Sequence, residues 1–256
     1  PRSSPHERPE PYNLRQNAER AMSEEVSIQV NFTRAMPLFP LDTAVLLPQQ
    51  ILPLHIFEER YRQMINRALD GAGQIAMGVF RGQRWKQEYH AQPPVRPAVC
   101  VGQIVQHEQV EDGRYNILLQ GICRAKIVEE AEPSEGQLYR HVLLQPIGVG
   151  DVDEEELEDL RDWLDEALSE SPLTQMTRAE EILGYVRKPE IPTSALLELV
   201  SFSMTPNGEL RYRLLAEGDA GRRARLVRDE LEHVQGLIRQ ARAQHPEEWP
   251  KGCSWN

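Results

Sequence analysis

Lysine is nearly missing from this chain of 256 residues: Lys86, Lys126, Lys188 and Lys251 are all there is, so arginine supplies most of the 29 basic residues. No Gly-Lys dipeptide occurs. That excludes a phosphate loop of the GxxxxGK[ST] type, in which backbone N–H groups and a lysine cradle phosphates. None of the four lysines stands in a serine–lysine protease context. The G-x-S-x-G nucleophile elbow, H-E-x-x-H and C-x-x-C are also absent. Cysteine is scarce too. Cys100, Cys123 and Cys253 are odd in number and unpatterned, so they form no disulfide framework. Cys100 and Cys123 lie in apolar runs and read as small buried hydrophobes in a reducing compartment. No apolar stretch approaches the ~20 residues that span a bilayer. Residues 1–20 are polar and proline-rich, without the apolar segment of a signal peptide. The location expected on these grounds is the cytoplasm.

What is present is acid. Forty acidic residues give a formal net charge of -11 and a pI near 5.2. Such a surface repels phosphate backbones and gives non-specific nucleic-acid binding no electrostatic help. Eleven of the acids crowd residues 151–170 around a single base, Arg161. They read as a solvated helix face, because Leu157, Leu160, Leu164 and Leu168 keep a helical apolar stripe. His55, His90, His107 and His141 are scattered and read as structural groups rather than metal ligands. Nothing here assembles a catalytic group, so no catalytic residue, metal or cofactor is expected and the chain is not read as an enzyme.

The layout is β-rich, then helical: an α+β chain. Residues 1–33 read as a flexible leader, with a short helix around residues 14–22. Residues 34–149 read as a β domain. Pro37, Pro40, Pro48 and Pro53 forbid a helix over residues 36–55 and leave short extended pieces at 44–47 and 51–55. Phe57, Tyr61, Met64, Ile65, Ala68 and Leu69 recur at helical spacing, which predicts one helix over 57–70 with Gly71 as its C-terminal cap. Strands follow at 74–80, 98–110, 114–120, 122–129 and 138–147, the middle pair divided at Gly121 and the turn before it made by Gly113. Short strands with one helix point to an antiparallel, barrel-like sheet. Residues 150–245 read as a helical domain. Asp153 and Glu156 have capping-box spacing. Further helices are expected over 179–186, from Thr193 or Ser194 to Ser203, from Thr205-Pro206 to Gly218, and from Asp219 to about residue 244. In the last, Val227, Leu231, Val234, Ile238 and Ala241 form a narrow apolar seam. Residues 246–256 are a tail.

The segment PLFPLDTAVLLPQQILPLHIFEERYRQMI at residues 37–65 resembles the opening of the Lon protease substrate-binding (N-terminal) domain family. The heart of the match is Pro53-Leu54-His55-Ile56-Phe57-Glu58 followed by Arg60-Tyr61. GRYNILLQGICRAKI at residues 113–127 resembles the family's central hairpin, with Gly121 and Arg124 in their places. The helices from Ser194 to Val234 match more loosely. Gln49-Gln50 departs from the glycine-containing turn common in the family. The resemblance implies an antiparallel β pseudo-barrel of the PUA-like kind with one helix, followed by a C-terminal helical bundle. It also implies a stand-alone form, without the ATPase and peptidase that follow this region in the protease.

The function implied is non-catalytic: recognition of unfolded or tagged protein segments or of a protein partner, with a separate ATPase or protease as a further partner. Lone domains of this kind serve as protein-interaction platforms. Leu54, Phe57, Trp85 and Tyr89 are the expected peptide- or protein-binding residues, with apolar surface between the β domain and the helices or around the loop carrying Trp85 and Tyr89. Most of the signature, Phe57 and Tyr61 included, reads as scaffold. The PUA-like resemblance also admits RNA binding, against which the acidic balance argues.

Overall fold

The structure, a computed structural model, describes residues 28–82, 84–86, 92–150, 152–170, 172–205 and 207–243. Most of the expected leader, its short helix, Tyr89, Pro206, Cys253 and the tail lie outside the described residues. From Phe32 onward the described residues make up one unit. Its six described strands are β1 (Met36–Leu41), β2 (Ile51–Ile56), β3 (Gln74–Val79), β4 (Ala98–Gln109), β5 (Tyr115–Ala131) and β6 (Arg140–Pro146). Helix α1 (Glu59–Leu69) connects β2 to β3.

The strand order is β2-β5-β4-β3-β1-β6, and β5 pairs with β6 as well. Hydrogen-bonded neighbours therefore run in a circuit from β5 through β4, β3, β1 and β6 back to β5. The sheet is mixed, not purely antiparallel: β1 and β3 run parallel, from Leu38↔Ala76 to Leu41↔Val79. The physical reason is the connection. β2 and α1 intervene between them, and a parallel pair needs such a long crossover.

The first strand is Met36–Leu41, not residues 44–47, which bury Val45, Leu46 and Leu47 without joining the sheet. Its prolines are tolerated because each sits where β1 is paired on one side only. Pro37 lies opposite His141 of β6, before the β3 pairing begins, and Pro40 opposite Gly78 of β3, after the β6 pairing ends. Pro53 stands on β2, which pairs with β5 alone among the described strands.

The two strands expected around Gly121 are one strand, β5. Gly121 is not a turn but a crossing point. Its carbonyl accepts from Gln49 N (2.7 Å) and its N–H donates to Gln50 O (2.8 Å), and a Cβ there would lie 2.1 Å from the Leu47 carbonyl oxygen. This contact hands one edge of β5 from β2, paired at residues 115–120, to β6, paired at 125–131. Cys100 faces Arg124 across β4 and β5 while Cys123 faces Val101, so the two thiols point to opposite faces.

Helix α1 starts two residues later than its spacing suggests, after Glu58, and buries Tyr61, Met64, Ile65 and Ala68. Phe57 lies outside it and is 62% exposed, so Tyr61 pins the helix and Phe57 does not. Gly73, at φ +69°, takes the left-handed conformation expected of Gly71.

Helices α2 (Glu158–Glu170), α3 (Ala179–Val186), α4 (Thr193–Ser203), α5 (Gly208–Ala216) and α6 (Ala220–Ala243) follow. The acidic stretch begins with a single 3-10 turn, Glu155–Leu157, whose first N–H is accepted by Asp153 Oδ1 at 3.0 Å. Helix α2 then buries Leu160, Leu164, Ala167 and Leu168. Arg161, its one base, donates to the carbonyls of Val186 (2.6 Å) and Ile191 and so caps the end of α3. Glu154 accepts from Thr193 N (2.7 Å) and caps α4 from a distance. Asn207, not Thr205, caps α5, accepting from Glu209 N and Leu210 N. Asp219 caps α6 through Arg222 N at 2.7 Å.

Polar contacts fasten these helices to the strands. Tyr212 of α5 accepts a hydrogen bond from Ala98 N at 2.9 Å, and the Arg96 guanidinium lies 3.3 Å from the centroid of that tyrosine ring while gripping Glu209. Deeper in, Arg124 of β5 binds Glu198 of α4 through both nitrogens (2.9 and 2.8 Å) and Leu214 O through Nε. Arg223 of α6 completes the group, donating to Glu198 at 3.2 Å and to the carbonyls of Glu217 and Gly218.

Candidate functional site: a cleft beside Phe80 and Trp85

Between the strands and α1 lies a partly enclosed cleft of about 160 Å³. Leu38 and Pro40 of β1 and Tyr61 of α1 contribute to it, as do Phe80, Pro93 and the connection from β5 to β6. The chain reaches this arrangement through backbone bonds. Phe80 forms a bridge with Val95, Arg81 N donates to Pro94 O and Arg96 N to Val79 O, both at 2.8 Å, so residues 92–96 fold back along the end of β3. Gln92, at the rim, has φ +57°, a left-handed conformation that a non-glycine residue holds only where its surroundings impose it.

The other rim is tied to α1. Gln63 accepts from Leu138 N and donates to Gly136 O, each at 2.9 Å. Leu138 itself is half exposed above the cleft. Arg140 joins the two rims, binding Glu130 (Nε to Oε2, 2.9 Å) and donating to Pro93 O (2.8 Å). Tyr61 meets Phe39 edge-on at 4.6 Å, and Arg60, bound to Glu58 at 3.1 Å, covers the Tyr61 ring.

The lining holds no nucleophile, and its one carboxylate, Glu130, is committed to Arg140. The cleft is smaller than the ~300–1,000 Å³ of ordinary small-molecule pockets. Its size suits a single side chain rather than a cofactor. Among the described residues no group of three His, Cys, Asp or Glu side chains is placed to hold a metal ion. Burial pushes the thiols of Cys100 and Cys123 upward, which makes both poor nucleophiles.

The expected binding residues fall in different places. Trp85 is half-buried and stacks on Phe80 with ring centroids 5.2 Å apart and planes within 5°, so it flanks the cleft. Leu54 is half-buried on β2 opposite Ile117 and packs against the core. Phe57 is exposed just after β2, stacked loosely on His55 at 6.3 Å. Neither Leu54 nor Phe57 lines the cleft. Tyr89 lies outside the described residues. Sequence reasoning missed Phe80, Pro93, Leu138 and Tyr139. The signal available was the Pro93-Pro94 pair in a loop that also carries aromatics; the contribution of residues 130–140 had none.

A mixed sheet closed through β5, with helices fastened to it by the buried Arg124–Glu198 pair, is the frame that carries the cleft. A family model described as the ATP-dependent protease La (LON) substrate-binding domain matches residues 35–233, and the chain belongs to that family. The matched domain is non-catalytic. Among solved structures, the N-terminal domain of the Mycobacterium avium complex Lon protease is 18% identical with a TM-score of 0.59, covering 78% of this chain and 98% of that one. A Lon N-terminal domain protein from Xanthomonas campestris is 18% identical with a TM-score of 0.53, covering 74% and 94%. At such identity these likenesses speak to the fold. No curated protein matches. None of the described helices is long and apolar enough to cross a membrane.

Proposed function

We propose that this chain is a protein-interaction module that binds unfolded or tagged protein segments, and that the cleft beside Phe80 receives an apolar side chain of the bound segment. The observation that carries the reading is the cleft itself: Leu38, Pro40, Phe80 and Pro93 among polar side chains in its walls, and a half-exposed Leu138 at the mouth, in a chain of the substrate-binding family. Trp85 at the flank of the cleft is one aromatic contact for the segment, the exposed Phe57 and Tyr89 are further ones, and Leu54 packs β2 on the core. Strand addition to β2 is the weaker route, because Pro53 in the middle of that edge supplies no N–H. Residues 34–149 act as the recognition part, a pseudo-barrel, and 150–245 as a helical bundle that supports it. A separate ATPase or protease in the cytoplasm is the partner this reading implies.

The test is fluorescence anisotropy with a labelled, permanently unfolded protein, reduced and alkylated. Burying a leucine-sized group is worth ~1.5–3 kcal/mol, so Leu138→Asp combined with Trp85→Ala should weaken binding by about tenfold or more. Unchanged affinity removes the cleft from the reading. If the unaltered chain fails to bind the unfolded protein but binds single-stranded RNA with a steep salt dependence, the PUA-like RNA-binding reading takes its place.

A further inference from the structure

One surface depression reverses the sign of this acidic chain. It is open, about 460 Å³, and lies between the last turn of α5 and the first two turns of α6, lined by Arg213, Ala216, Glu217, Arg222, Arg225 and Leu226. All three arginines are exposed. Arg222 and Arg225 are three residues apart and so share one face of α6.

Three arginines nearby are engaged within the fold. Arg223 binds Glu198, Arg211 binds the carbonyls of Thr205 and Phe202, and Arg228 binds Glu232 and lies over Trp163. Among the described residues, by contrast, neither Arg213 nor Arg225 has a hydrogen bond or a close ion pair. Glu209, one turn before Arg213, feels that charge too but is gripped by Arg96. Glu217, the one acid in the lining, accepts from Asp219 N at 3.0 Å and stands 3.9 Å from Arg222. On the far side of Arg222 and Arg225 the balance returns to neutral, where Glu156, Asp159 and Asp219 face Arg222, Arg225 and Arg228. The positive field therefore opens toward α5 alone.

Exposed guanidinium groups give carboxylates little net affinity by themselves; they steer approach and set salt dependence. The floor of the depression, Ala216 and the half-buried Leu226, supplies an apolar contact between the charges. A nucleic acid suits this lining poorly. It holds no aromatic side chain on which a base would stack. We propose that the depression between α5 and α6 is a docking point for an acidic protein segment that carries an apolar residue between carboxylates. The site is separate from the cleft and does not rest on it.

The experiment is fluorescence anisotropy of the full chain with labelled peptides of one length. The first is rich in Asp and Glu around a central Leu, the second replaces the acids with Lys, the third replaces Leu with Ser, and an oligouridylate is the fourth probe. The acidic peptide with Leu should bind, weaken as salt rises, and lose about tenfold or more in Arg213→Glu/Arg225→Glu, whose fold is checked by circular dichroism. Arg239→Glu/Arg242→Glu, on exposed positions farther along α6, should leave its affinity within about twofold. The cleft variant Leu138→Asp/Trp85→Ala should leave it unchanged, so failure here and failure of the cleft reading are told apart. Unchanged binding in Arg213→Glu/Arg225→Glu overturns the proposal. So does equal binding of the peptide lacking Leu or of the oligouridylate, which would make the patch a general anion contact.

Discussion

Replacing Glu198 by Gln should cost this fold about 3–5 kcal/mol, because one carboxylate neutralises two guanidinium groups away from water. The side chains of Arg124, Glu198 and Arg223 retain only 7%, 8% and 6% of their exposure. The glutamine would keep the shape and one acceptor but remove the charge, leaving two cations buried together. Removing one partner of a buried ion group costs about this much in general, since the remaining charges lose their compensation. Against a typical stability of ~5–15 kcal/mol the change is severe. For a domain of this size each kcal/mol lowers Tm by ~2–4 °C, so Tm should fall by ~6–20 °C. Urea unfolding, followed by tryptophan fluorescence and circular dichroism, measures it. The triple variant Arg124→Met/Glu198→Leu/Arg223→Met separates charge from packing. Apolar replacement of a whole buried ion group is often neutral or stabilising. Here it also orphans the carbonyls of Leu214, Glu217 and Gly218, at ~1 kcal/mol each where buried. The triple should therefore be markedly more stable than Glu198→Gln alone. A loss below ~1 kcal/mol in Glu198→Gln would refute the reasoning, as would a triple variant no better than the single one.

Gly121→Ala should lose more than ~3 kcal/mol or fail to accumulate as folded protein, because its Cβ would strike the Leu47 carbonyl in a loop bonded to Gly121 on both sides; Gly184→Ala, with open space around it inside α3, should be neutral or stabilising by up to ~1 kcal/mol in the same melts. Asn207→Ala should cost ~1 kcal/mol by urea titration, since Asn207 satisfies two N–H groups at the start of α5. Burial first, and the Arg67 charge second, hold the His141 imidazole below its ordinary range. The unfolded chain then binds this proton more readily, so the contribution is whole above pH ~6.5 and is lost as pH falls from there through the lower folded value. His141→Gln should flatten the stability profile in that window, and an NMR titration that places His141 at or above the ordinary histidine value would contradict the assignment.

The strands and helices with clean periodicity were legible in sequence. The stripe of α1, the alternation of β4, and the seam of α6 each follow from apolar spacing. What escaped were features set by tertiary contact. Prolines in β1 argue against a strand, yet each proline meets a neighbour on one side only, a fact no local pattern carries. Gly121 reads as a break because glycine interrupts strands; its role is to let a distant loop lie directly on β5. Parallel pairing of β1 with β3 depends on where the crossover returns, not on either strand's residues. The residues of the proposed cleft were legible only in part. Trp85 stands out as an aromatic in a polar loop, but its partner Phe80 and the rim at Leu138 come from segments almost sixty residues apart that meet only when β6 closes against β5 and β1.

The family signature and the proposed contact surface divide the work between them, for a physical reason. Within the stretch from Pro53 to Tyr61, Ile56 and Tyr61 are buried to 2% and 5% exposure, Leu54 packs on the core and Arg60 grips Glu58. Each change at the buried positions carries the cavity and packing costs of a core substitution. The cleft mouth is built differently. Leu138 is half exposed, and Trp85 reaches the described core through its stack on Phe80, so side-chain changes there touch little that holds the fold. Tyr61 joins the two sets, buried against Phe39 on one side and lining the cleft on the other. On the proposed reading, a substitution at Tyr61 therefore couples binding to stability, whereas one at Leu138 alters the cleft mouth with the frame intact. The buried frame leaves a strong apolar and proline pattern in the sequence and the exposed cleft mouth leaves little, which is why the frame could be read from the sequence and the proposed contacts could not.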